Sequence, residues 1–172
     1  CVRNYLIARS RKINVTTPNS CTVVIPCRNE KENIESAITR LPNFCDDIEI
    51  IFIEGHSSDN TLEEAHRVAS KYSQLDIKVL QQDGVGKADA VYKAFDNARG
   101  DVLMILDADL TMPPEELYKF WDAISSGQGE YINGSRLVYP MDKDAMRFLN
   151  LIANHIFSII FSWLLNQRYT DT

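Results

Sequence analysis

Asp107-Ala108-Asp109 puts two carboxylates two residues apart, directly after the apolar run Val102-Leu103-Met104-Ile105-Leu106. In an extended chain such side chains point the same way, so the pair can share one cation or divide between a cation and a ribose hydroxyl. Two hard oxygen ligands with open positions suit Mg2+ or Mn2+ completed by a diphosphate. Acids that merely cap a strand or solvate a loop are the plain alternative, and the place after so apolar a strand weighs against it. A second group, Gly84-Val85-Gly86-Lys87, lies between a strand and a helix. Its glycines let backbone N–H groups approach an anion, the helix N-terminus adds positive dipole, and Lys87 adds a full charge. Two better-known phosphate loops do not fit. Asp107 lies 21 residues after Gly86, about where a dinucleotide fold puts its ribose acid, but Asp89 stands where the third small residue is needed. A Walker loop fails because Gln81 replaces its first glycine and Ala88 its hydroxyl residue. Glu54, in Glu54-Gly55-His56-Ser57-Ser58-Asp59-Asn60-Thr61, can accept the ring N–H of uracil or guanine, with a turn and helix cap as the alternative. Arg136 can clamp a phosphate through two N–H groups. His56, His66 and His155 share no spacing and read as ordinary residues.

These groups need rigid elements to hold them. The hydrophobic pattern alternates between short β-branched runs and helical periodicity, which predicts a mostly parallel α/β sheet. Thr22 to Ile25 reads as a buried strand stopped by Pro26, and Glu30 to Leu41 as a helix with Ile34, Ile38 and Leu41 on one face. Ile48 to Ile53 is a second strand. Thr61 and Glu64 suggest a capping box for a second helix, and Ile77 to Leu80 a third strand. A third helix on Val91, Ala94, Phe95 and Ala98 ends at Gly100 as its C-cap. Val102 to Leu106, the most hydrophobic strand, is expected at the sheet centre. Pro113-Pro114-Glu115-Glu116 starts a further helix, and Tyr131 to Gly134 reads as a short strand. Three successive β-α-β units with right-handed crossovers predict the order 3-2-1-4. Ligands of open α/β sheets sit where the winding reverses, and the segments meeting there are Pro26 to Glu30 and Asp107 to Asp109.

The 172 residues, 45% hydrophobic and 24% charged, suffice for one domain with a proper core and exclude disorder. Up to Arg28 there are five Lys or Arg and no acid, which leaves 13 basic against 24 acidic residues in the remainder. That acidic body argues against nucleic acid as a partner. Cys1, Cys21, Cys27 and Cys45 show no paired spacing and read as reduced thiols of a cytosolic protein. Residues 1–20 read as a tail or linker, with Tyr5 to Ala8 a strand-like piece that fits the end of a preceding domain. The chain reads as part of something longer. Residues 145–165 make a helix of about 31 Å with a narrow polar stripe of Arg147, Asn150, Asn154, His155, Ser158 and Ser162. So wide an apolar arc suits a helix lying in a lipid headgroup region, or else a core helix covered by a partner.

Taken together, Val24 to Glu30 with Glu32-Asn33-Ile34, Glu54 to Thr61, Gly84 to Lys87, Gly100-Asp101 through Asp109, and Gly134-Ser135-Arg136 resemble the family 2 glycosyltransferases, and within them the polyprenyl-phosphate sugar transferases. The resemblance runs from about Cys21 to the end. It implies a GT-A fold, a Rossmann-like, mostly parallel sheet with helices on both faces, over residues 21–144; residues 145–172 read as the amphipathic, membrane-interface helix and the start of an acceptor segment. It also implies that Pro26, Arg28, Glu30, Gly86 and Ala108 line a nucleotide pocket, that Glu54 takes the base-binding acid's place, and that Asp107 and Asp109 hold Mg2+ or Mn2+. Lys87 and Arg136 would lie near phosphates, and Asp109, Lys87 and Arg136 would serve catalysis. Two departures stand out: Glu54-Gly55 replaces the usual paired acids, and His56 replaces a glycine.

The implied reaction is in-line displacement with inversion, moving a hexose from a UDP- or GDP-sugar to a polyprenyl phosphate. Such an acceptor is already ionised and needs no general base. The implied partners are the nucleotide sugar, the lipid phosphate and a membrane surface at its cytoplasmic face. A nucleotidyltransferase would also use an acid pair and a glycine-lysine loop, and a non-catalytic nucleotide-binding module is the third reading.

Overall fold

A computed structural model of the chain describes residues 17–134 and residue 159. Residues 17–125 belong to one compact unit and residues 126–134, with 159, to another. The first unit is built on strands β1 (Ser20–Cys27), β2 (Asp47–Glu54), β3 (Asp76–Gln81) and β4 (Val102–Ile105). Every neighbouring pair is parallel, and the order is β3-β2-β1-β4, as the crossover rule predicts. Four helices connect and flank them: α1 (Ile34–Thr39), α2 (Thr61–Lys71), α3 (Lys87–Asp96) and α4 (Leu117–Ser125). Single 3-10 turns at Lys31–Asn33 and Pro114–Glu116 lead into α1 and α4.

Alternation along the two inner strands makes two cores. Val23, Ile25, Ile50 and Phe52 pack with Ile34 and Ile38 of α1, Ala65 and Val68 of α2, and Leu117 of α4. Val24, Ile51 and Ile53 face the other way, onto Ala90 and Ala94 of α3. Both faces of β1 and β2 are therefore covered, which is why their sequences are almost continuously apolar. Each fully buried aliphatic side chain contributes about 1.5–3 kcal/mol.

β4 is not central as its hydrophobicity suggests. Among the described residues it is an edge strand, and Leu103 and Ile105 are 40% and 44% exposed. Strand order follows from crossover geometry, and apolar content does not override it. Pro26 likewise does not stop β1, which continues to Cys27. Val24 O accepts Leu106 N–H at 2.9 Å, so Pro26, two residues on, turns its missing donor toward β4, where pairing has ended at Val24 and Ile105. On the β2 side the ladder runs on through Cys27 and Glu54.

Other local expectations change in detail. The capping box at Thr61 and Glu64 is absent: left-handed Asn60 occupies the cap position, Asp59 Oδ1 accepts Thr61 N–H at 3.1 Å, and Glu64 pairs with Arg67. Gly100 is not a C-cap, because α3 ends at Asp96 and Asn97 is its cap. It is a close-approach residue whose added Cβ would lie 2.4 Å from Thr22 N.

At the N-terminal end of the sheet Gly100 N–H donates to Thr22 Oγ1 at 2.9 Å, and that hydroxyl donates to fully buried Glu49 at 2.6 Å. Lys78 pairs with Glu49 at 2.5 Å, and Arg99 bridges Asp47 and Asp76. Burial pushes the Glu49 carboxyl up, but Lys78, Thr22 and the Arg99 N–H prevail and hold it below the usual range.

In the second unit Gly127 turns the chain with φ +71°. Tyr131 to Gly134 are irregular rather than a strand, with Tyr131 exposed and no pairing to another strand among the described residues. Ile159 is helical and exposed. Tyr5 to Ala8 and the remainder of 145–165 lie outside the described residues.

Candidate functional site

A cleft of about 260 Å3 opens beyond the C-terminal ends of the strands. Pro26, Arg28 and Glu30 reach it from the end of β1, Gly86 and Lys87 from the start of α3, and Asp107, Ala108 and Asp109 from the segment after β4. It lies where the winding reverses between β1 and β4, and the end of their pairing at Val24 and Ile105 leaves room for it. Arg136 is outside the described residues. Cys27, Gly55, Gln82 and Ala90 also line the cleft, without having been expected. The signal for three of them is position alone: Gly55 and Gln82 are the first residues past β2 and β3, and Ala90 lies one turn into α3.

The two aspartates reach the cleft by a different route from the one expected. β4 stops at Ile105, and 107–110 form a turn in which Leu110 N–H donates to Asp107 O at 3.1 Å and Leu110 takes φ +53°. Asp109 Oδ1 accepts both the N–H and the hydroxyl of Thr111 at 3.0 Å, which fixes its side chain. Asp107 pairs with Lys87, the first residue of α3. Gly86 enters that helix at φ +97°, a conformation glycine adopts freely. Asp89 Oδ2 accepts Gly84 N–H at 2.8 Å, so the carboxylate that spoils a dinucleotide fingerprint here braces the glycine loop.

The loops after β1 and β2 are laced together. Asn29 N–H donates to Ser57 Oγ at 2.9 Å, Ser58 N–H to Asn29 Oδ1 at 2.8 Å, and Glu30 N–H to Thr61 Oγ1 at 3.0 Å. Asn29 and His56 both sit at positive φ, +57° and +55°. An added Cβ on Gly55 would meet Arg28 Cβ at 3.3 Å, so a second acid after Glu54 would crowd the arginine.

Glu54 does not line the cleft. It is 1% exposed, its Oε1 accepts Ser57 N–H at 2.5 Å, and its Oε2 accepts from Gln81 Nε2 at 3.0 Å. Burial pushes the carboxyl up, yet the Ser57, Gln81 and His56 donors outweigh it and keep it ionised below the ordinary range. Cys27 beside it is a neutral thiol. Burial, then the charges of Glu54, Glu30 and Asp59, push it up to about 12.

Asp107 and Asp109 fit Mg2+ or Mn2+ by donor chemistry: both are hard oxygen ligands on one cleft wall. Mg2+ in particular is held through one or two carboxylates plus substrate phosphates and water. Among the described residues no group of three or more His, Cys, Asp or Glu side chains forms a cage of its own, so a cation here would share its coordination with a ligand.

A parallel 3-2-1-4 sheet flanked by helices, with its cleft at the winding reversal, is a fold of the GT-A type. Residues 22–171 match the glycosyl transferase family 2, and the chain belongs to that family. It is 38% identical over 119 residues to a dolichol-phosphate mannosyltransferase of Pyrococcus furiosus, covering 68% of this chain and 33% of that protein. It is 32% identical over 108 residues to the dolichol-phosphate mannosyltransferase of Saccharomyces cerevisiae (60% and 40%). To an undecaprenyl-phosphate 4-deoxy-4-formamido-L-arabinose transferase of Serratia proteamaculans it is 29% identical over 137 residues (76% and 42%). The chain thus spans about a third to two-fifths of the length of these relatives. Among solved structures the fold matches the mannosyltransferase PcManGT from Pyrobaculum calidifontis, in complex with GDP-Man and Mn2+. The TM-score is 0.55 at 24% identity, covering 72% of this chain and 35% of that one.

Proposed function

We propose that the chain carries the donor-binding half of a metal-dependent, inverting glycosyltransferase that moves a hexose from a UDP- or GDP-sugar to a polyprenyl phosphate. The observation that carries this reading is the convergence of Asp107, Asp109, Lys87 and Arg28 on one cleft in a family 2 chain. The acceptor class follows from relatives named for transfer to dolichol or undecaprenyl phosphate. Asp107 and Asp109 would hold Mg2+ or Mn2+, which when bound supplies charge neutralisation on the sugar diphosphate.

Lys87 and Arg28 orient the phosphates, and Lys87 stabilises the negative charge that grows on the leaving nucleotide. Arg136 takes the same role in this reading. Pro26, Glu30, Gly86 and Ala108 shape the nucleotide pocket. Glu54, its oxygens already engaged by protein donors, contributes by bracing the loop after β2. A lipid phosphate is already ionised and attacks without a general base. The reading places the protein at the cytoplasmic face of a membrane, held there by residues 145–165.

Calorimetric titration with GDP-mannose and UDP-glucose, with and without Mn2+, tests it. Mn2+ should raise the affinity for one donor at least tenfold, and Asp109→Asn should remove that gain. Equal binding with and without Mn2+ would sink the metal assignment. A preference for nucleoside triphosphates would point to nucleotidyl transfer instead.

A further inference from the structure

We infer that Gln82 reads the nucleobase of the donor, its side-chain carbonyl accepting a hydrogen bond from the ring N–H of the base. This rests on the nucleotide-sugar reading above. Gln82 follows β3 directly, and its backbone N–H donates to Glu54 O at 2.9 Å, so its main chain is fixed at the end of the β2–β3 ladder. Gln82 lines the cleft and is only 6% exposed.

A buried carboxamide brings two donors and one strong acceptor that need partners. Nε2 donates to Gly84 O at 3.0 Å. That bond also settles the orientation of the amide, because the flipped form would set two carbonyl oxygens against each other. Oε1 receives no donor among the described residues, and it is not sealed off from open space. A nearly buried residue of the cleft lining thus carries an unmatched acceptor.

An acceptor repels phosphate oxygens and calls for an N–H or O–H on the ligand. The sheet order decides which part of the ligand this is. Asp107 and Asp109 follow β4 at one edge, and Gln82 follows β3 at the other, with β2 and β1 between them. A diphosphate held beside Asp107 and Asp109 therefore directs its nucleoside toward Gln82. Glu54, the acid expected there from sequence, already has Ser57 and Gln81 donors on its two oxygens. Uracil and guanine both offer a ring N–H, so this contact selects that class of base.

The test is calorimetric titration of GDP, UDP, 1-methylguanosine diphosphate and 3-methyluridine diphosphate into the chain and into Gln82→Leu, all with Mn2+. Inorganic pyrophosphate with Mn2+ is the base-free probe. Methylating the ring nitrogen of the nucleotide that binds should cost about tenfold in affinity, and Gln82→Leu about the same, without the two losses adding. Pyrophosphate should bind both proteins alike. Equal nucleotide binding by Gln82→Leu, or a methyl penalty undiminished in that variant, would overturn the inference. A parallel loss of pyrophosphate would make Gln82 a loop brace, and a loss in Gln82→Leu without a methyl penalty in the unaltered chain would move the contact to the ribose. Failure of both GDP and UDP to bind would bring down the nucleotide site itself, and this contact with it.

Discussion

His56 holds a left-handed backbone at φ +55° and is exposed, so its side chain gives little in return for the strain. A non-glycine residue in that region costs about 1 kcal/mol relative to glycine. His56→Gly should therefore stabilise the chain by about that amount, read as a higher urea midpoint at unchanged slope. A lower midpoint would show that the imidazole has a role of its own. Residue types alone announce part of the site: Asp107, Asp109 and Lys87 declare charge and spacing, and all three line one cleft. Glu54 misleads because its sequence position says nothing of Ser57 and Gln81, donors that only the fold brings to its oxygens. Gln82 belongs to no motif; only burial combined with an unmatched oxygen singles it out.

At the scale of elements, the contact of Gly100 with β1 has no slack. A Cβ there would lie 2.4 Å from Thr22 N and 2.6 Å from Cys21 C, both backbone atoms of a strand bonded on two sides. Gly100→Ala should cost about 2–4 kcal/mol in urea unfolding, through displaced backbone and a weakened Thr22–Glu49 link. A loss under about 0.5 kcal/mol would mean that β1 yields easily. Helices α1 and α2 are joined by Glu35, whose carboxylate accepts from Lys71, Arg67 and Tyr72. Lys71 first, then Arg67 and Tyr72, draw its pKa down to about 2. A depressed carboxyl stabilises the fold above its unfolded value near about 4.3, and that contribution is lost as pH falls toward about 2. Thermal midpoints of the unaltered chain and Glu35→Gln should differ at about pH 7 and converge near pH 2; a constant gap would disprove the link. Strand and helix types were legible from periodicity, and the order β3-β2-β1-β4 from crossover handedness. Boundaries were not. Pro26 reads as a stop because its partner strand's end cannot be seen in sequence, and Gly100 reads as a cap because its neighbour Thr22 is 78 residues away.

For the molecule as a whole, among the described residues no helix is long and apolar enough to cross a membrane. The proposed lipid acceptor lies at a membrane surface, and the apolar arc of residues 145–165 is the attachment the sequence suggests. Phe157→Glu with Phe161→Glu should abolish sedimentation with anionic liposomes while leaving Mn2+-dependent nucleotide affinity unchanged. Undiminished sedimentation would defeat that role. Parallel pairing has one more outcome, in the order of synthesis. β1 meets β2 early, but its second neighbour, β4, begins 82 residues after β1 does. Long-range pairings of this kind form slowly. A nascent chain halted before Val102 on the ribosome would carry three strands and the glycine loop with neither aspartate, so the proposed donor site can form only after nearly the whole unit has been translated.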